Sequence, residues 1–195
     1  GPSPLDPVPG PRHLLSELVQ RRIHLRPVEQ MGISMLLYAA PDPDLRAFAV
    51  AHSALQAWLR LPRAVPDLSL HEYWRDLDVL IGRAPSAPSL TPLTAGSADW
   101  SIPEVADRGA YALSSISTQR LLAAIEQVTP ADVESYVRER WARQAERTGQ
   151  SPTLTPAQVG SRAGELELYL GKLKEYCGLA VRRGYGLVMA LWEER

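Results

Sequence analysis

The sequence predicts an α+β domain: a helix-rich fold in which several helices pack a small, largely buried sheet, with strands near 31–39, 111–113 and 186–192. Three observations carry that expectation. Thr155-Pro156-Ala157-Gln158 opens a long helix, with a hydroxyl at the N-cap, proline at the first helical position and glutamine at the third. Leu166, Tyr169, Leu170, Leu173, Tyr176, Cys177, Ala180 and Val181 then recur at helical spacing, and Arg182-Arg183-Gly184 supplies cations and a left-handed stop. Directly afterwards, Gly186-Leu187-Val188-Met189-Ala190-Leu191-Trp192 runs apolar without alternation. That run is too short for a membrane and too continuous for an exposed loop, so it reads as a strand covered on both faces.

Taken in order, Gly1-Pro2 reads as the scar of a tag-removing protease. With no methionine before Met31, residues 3–30 read as following a removed initiator or as cut from a longer reading frame. They form an expected N-terminal extension (1–30): a proline-rich linker over 4–11, then an amphipathic helix over 12–25 built on Leu14, Leu15, Leu18 and Val19. The main domain is expected over 31–195. Met31–Ala39 is short and apolar and predicts a strand at one edge of the sheet. Asp42-Pro43-Asp44 is expected to cap one helix running to Arg60, with Leu45, Phe48, Ala49, His52, Leu55 and Leu59 inward.

Leu68 to Gly82 predicts a further helix, capped by Ser69 and stopped by Gly82, with Leu70, Trp74, Leu77, Leu80 and Ile81 as its buried stripe. Between Arg83 and Val105, four prolines among serines and threonines predict a long loop, a feature that tends to be functional or disordered. Tyr111–Leu113 predicts a short strand and Ser114–Val128 a helix. Thr129-Pro130-Ala131-Asp132 caps the next one, which turns Val133, Val137 and Trp141 inward and ends near Gly149.

Bulk properties exclude several function classes. A formal net charge of -1 and a pI near 6.5 lack the basic excess of a general nucleic-acid binder. With 45% hydrophobic residues the chain can bury a sizeable core. The single cysteine, Cys177, allows no internal disulfide, which favours a reducing compartment; the cytoplasm is the expected setting. No signal peptide or spanning segment is legible.

Chemical motifs are sparse. Gly160-x3-Gly164 lies inside a helix, and Gly184-Tyr185-Gly186 precedes a strand, the reverse of a dinucleotide fingerprint. His13, His24, His52 and His71 show no metal-ligand spacing, so neither a metal nor another cofactor is assigned. Asp76/Asp78 and Glu165/Glu167 stand two apart and diverge around a helix. His71, Glu72, Arg75 and Asp78 beside Trp74 offer a polar rim, read as a solvated helix face rather than an acid-base pair. No catalytic residue is assigned.

Three stretches together resemble the YfbM-like family of bacterial domains of unknown function: Met31-Gly32-Ile33-Ser34; Ser69 through Leu77 with Val79-Leu80-Ile81-Gly82; and Tyr169-Leu170 through Val188-Met189. The resemblance covers about 31–192 and implies a modest α+β fold without an established reaction. The thirty residues before Met31 depart from it, and 147–155 lacks the aromatic-proline turn the family implies.

With no catalytic constellation legible, the expected function is a non-catalytic protein-binding domain, most concretely an immunity-type protein neutralising a bacterial toxin. The alternatives are an enzyme or sensor holding a small molecule near Trp74 and the 83–105 loop, or a structural accessory domain of a larger protein. Partner contacts are expected at Asp99 and Trp100 in that loop, and at Asp78, Arg108 and Tyr111 near its anchors.

Overall fold

A computed structural model describes residues 32–83, 98–102, 109–151 and 153–193. The amphipathic helix expected over 12–25 and the inward side chain expected of His52 lie outside what is described.

The described elements form an α+β domain. Strands β1 (Ile33–Pro41), β2 (Leu68–His71), β3 (Trp100–Ile102), β4 (Ala110–Leu113) and β5 (Tyr185–Glu193) make one sheet in the order β2-β1-β5-β4-β3. Every neighbouring pair is antiparallel. The helices are α1 (Asp42–Val50), α2 (His52–Leu59), α3 (Trp74–Gly82), α4 (Ser115–Ile125), α5 (Pro130–Thr148) and α6 (Pro156–Arg182).

The sheet is built around β1 and β5, which pair along their full length from Ile33↔Glu193 to Pro41↔Tyr185. Strand β5 runs apolar because both of its faces are covered, as its lack of alternation requires. Leu187 and Met189 join Met35, Leu37 and Ala39 in the core beneath α3, α4 and α6, while Val188 and Ala190 join Tyr38 and Ala40 beneath α1 and α2. A third cluster places Val133, Tyr136 and Val137 of α5 against Leu80 of α3 and Val159, Ala163 and Leu166 of α6. Helices α5 and α6 start where their reciprocal caps dictate: Thr129 with Asp132, and Thr155 with Gln158. Gly149 after α5 and Gly184 after α6 take the left-handed conformation, at φ 68° and 69°.

The structure corrects five expectations. Leu68–Gly82 is not one helix: 68–71 form β2, residues 72–73 turn, and α3 begins at Trp74. The unpaired edge of β1 recruits Leu68–His71 into the sheet, and Ser69 Oγ accepts the His71 amide at 3.3 Å instead of capping a helix. For the same reason β1 is an inner strand, with β2 outside it. The helix expected to Arg60 breaks at Ala51, whose backbone is extended (φ -139°, ψ 103°); Leu45, Phe48 and Leu55 nonetheless reach one core. The carboxylate of Asp42 does not cap α1; it accepts the Ser115 amide and hydroxyl, each at 2.8 Å, and so ties α1 to the start of α4. Trp74 is half-buried rather than fully buried, and its Nε1–H donates to the Ile33 carbonyl at 2.8 Å.

Candidate functional site

The turn after β2, the first turn of α3, the middle of α5 and the first half of α6 enclose a cleft of about 330 Å³. Local sequence explains each wall. On α5, Tyr136, Arg140 and Gln144 recur every fourth residue and form one stripe, with Trp141 beside it. On α6, Arg162 and Glu165 stand three apart on one face. Entry into α3 depends on His71, a non-glycine residue at φ 47°, which ends β2 and sends Glu72 and Tyr73 into the cleft wall.

The floor is an acidic residue that the sequence names only to set aside, since it diverges from Asp78 around the helix. Asp76 is 8% exposed. Its Oδ1 accepts the Tyr136 hydroxyl at 2.5 Å, and its Oδ2 pairs with the Arg140 guanidinium. Burial, and the Asp76 carboxylate it donates to, push the Tyr136 phenol well above its ordinary range. Arg83 lies 5.3 Å from the Tyr136 ring centroid and pairs with Glu139 at 3.0 Å.

At the α6 side, the Tyr73 hydroxyl donates to Glu165 at 3.0 Å, and burial together with that carboxylate raises its pKa to about 12. Its ring stacks on Tyr169 at 4.4 Å, with His71 edge-on and the Lys172 ammonium 4.8 Å from the Tyr169 centroid. Two further guanidiniums lie over indoles: Arg162 over Trp141 at 4.9 Å and Arg75 over Trp74 at 5.4 Å.

Asp76 and one oxygen of Glu165 are held by neighbouring side chains. Burial pushes the Cys177 thiol up to about 12, far from a reactive thiolate. Among the described residues no group of three His, Cys, Asp or Glu is placed to hold a metal ion. No described helix is long and apolar enough to cross a membrane.

The residues singled out from sequence do not converge. Asp99 is exposed, and its Oδ2 accepts the Ser114 amide at 2.8 Å, just ahead of α4. Partial burial pushes the Asp99 pKa up, but hydrogen bonds from the Ser114 amide and the Ser117 and Ser114 hydroxyls outweigh it and hold the pKa down. Trp100 belongs to β3, not to a loop, and packs half-buried on the cluster under α1 and α2. Tyr111 packs on the opposite cluster: Trp100 pairs with Ala112 and Tyr111 with Ser101, so the two aromatic rings leave opposite faces of the sheet. Asp78 is half-buried on α3, and Arg108 lies outside the described residues. Of the polar rim, Glu72 and Arg75 reach the cleft. Tyr136, Arg140, Trp141 and Arg162 were missed because they join Asp76 only through contacts some sixty residues or more away along the chain.

The fold is similar to that of YfbM from Escherichia coli, a protein of unknown function, with a TM-score of 0.50 and 10% sequence identity over 82% of this chain and 99% of that one. The fold is YfbM-like. At this identity the likeness speaks for the fold alone. No protein-family model matches the chain, and no curated protein matches its sequence.

Proposed function

We propose that the domain is a non-catalytic protein-binding module and that its partner docks over the cleft between α3, α5 and α6. The observation that carries this reading is the composition of the cleft: Tyr73, Tyr136, Trp141, Arg75, Arg140 and Arg162 supply its rings and charges. Tyrosine, tryptophan and arginine are the residues enriched where protein interfaces concentrate their energy, because they combine large contact area with directional donors. Neutralising a toxin by covering its working surface is the form of this function that asks no chemistry of the domain itself.

A small-molecule site in the same cleft is the second reading, favoured by a volume of about 330 Å³, at the small end of ligand pockets. Its charged lining argues against it, since such pockets are predominantly apolar. A photo-crosslinking residue at the exposed cleft position Gln144, compared with one at Trp100, separates the readings. One protein captured from Gln144 and not from Trp100 is expected. Capture from Trp100 alone, or a co-purifying metabolite without a protein partner, overturns the proposal.

A further inference from the structure

Three guanidiniums line the cleft, and their partners are unevenly assigned. Arg140 spends one nitrogen on Asp76, yet its side chain remains 56% exposed. Arg75 and Arg162 lie over indole rings, and neither is held in an ion pair with another described residue. Of the carboxylates, Asp76 is taken by Tyr136 and Arg140, and Glu165 by Tyr73, which leaves Glu72 at the mouth. The Nε1–H of Trp141 is buried and meets no acceptor among the described residues. Arg75, Arg162 and the Trp141 indole thus bring donors to the cleft that no described carboxylate holds, and an unsatisfied buried donor costs free energy until an acceptor arrives.

We infer that the cleft receives an acidic segment of the partner protein, with a carboxylate side chain held by Arg75, Arg140 and Arg162; this rests on the protein-binding reading above. The planar fork of a guanidinium matches a carboxylate in two parallel hydrogen bonds. Stacking on Trp74 and Trp141 holds two of the forks before the partner arrives, which reduces the freedom lost on binding. The three arginines are balanced by Glu72, Asp76 and Glu165. That balance suits a singly charged carboxylate better than a doubly charged phosphate.

The experiment is a titration of the ¹⁵N-labelled full chain with hexaglutamate peptide, hexalysine peptide and inorganic phosphate. The readout is the Trp141 indole Nε1–H resonance, assigned by its loss in Trp141→Phe. A saturable downfield shift with hexaglutamate is expected, weakened at least tenfold in Arg162→Gln and in Arg75→Gln. Both side chains are exposed, so the two variants should keep the parent melting temperature. No response to hexaglutamate, an equal response in both variants, or phosphate acting at equal or lower concentration overturns the inference. A response to hexalysine instead overturns the acidic class and leaves the partner-binding reading standing. Absence of any protein crosslinked from Gln144 removes that reading and the inference with it.

Discussion

Replacing Gly186 and Gly164 with alanine adds the same methyl group at two sites, and stability should move in opposite directions. A Cβ on Gly186 would stand 2.1 Å from the Leu113 carbonyl oxygen and 2.6 Å from Leu45 Cδ1. Carbon and carbonyl oxygen meet at roughly 3.3 Å, so the backbone would have to open by about an ångström. It has little room to do so: Gly186 pairs with Ala40 on one side, and its neighbour Leu187 pairs with Leu113 on the other. Overpacking of side chains costs about 1–3 kcal/mol, and a backbone obstruction belongs at the upper end, about 3 kcal/mol. For a domain of this size that lowers the melting temperature by roughly 6–12 °C.

Gly164 sits within α6, and a Cβ there would meet nothing within 4 Å. Alanine should therefore stabilise by about 0.5–1 kcal/mol through the unfolded chain's lost freedom, raising the melting temperature by roughly 1–4 °C. Calorimetry or denaturant titration of both variants reads the difference. A Gly186→Ala protein melting within about 2 °C of the parent would refute the close approach of β5 to the β4–α4 junction.

Four further outcomes follow from named contacts. Trp74→Ala should cost about 3 kcal/mol and Trp74→Phe about 1 kcal/mol, the latter for the lost bond to Ile33; a Trp74→Phe protein as stable as the parent in denaturant titration would remove the hydrogen bond from the account. Asp76→Ala should cost about 1–3 kcal/mol because it strands the buried Tyr136 hydroxyl, whereas the exposed Arg140 returns to water; adding Tyr136→Phe should recover part of the loss in a double-mutant cycle. Asp99→Asn should destabilise at neutral pH but not in strong acid. The folded carboxyl titrates below the ordinary aspartate value, so its contribution is present above that value and fades as pH falls through the folded pKa; a pH-independent cost would contradict this. The Cys177 thiol should resist a disulfide reagent in the native protein and react only as the chain unfolds, and prompt native labelling would count against its burial.

Local chemistry determined a large part of this domain. The caps at Thr129 and Thr155, the stops at Gly149 and Gly184, the face of α6 and the doubly covered β5 each depend on residues within a few positions of one another, so they are written in the sequence itself. Tertiary structure alone decided the rest. Leu68–His71 carries a pattern that fits helix or strand, and the open edge of β1 chose strand. Trp100 and Tyr111 lie close in the fold, yet the pleat of paired strands sends them to opposite faces. The cleft unites Asp76 with Tyr136 and Arg140, whose spacing along the chain carries no periodic signal, because only the packing of α5 and α6 against α3 brings a carboxylate, a phenol and a guanidinium within hydrogen-bonding reach.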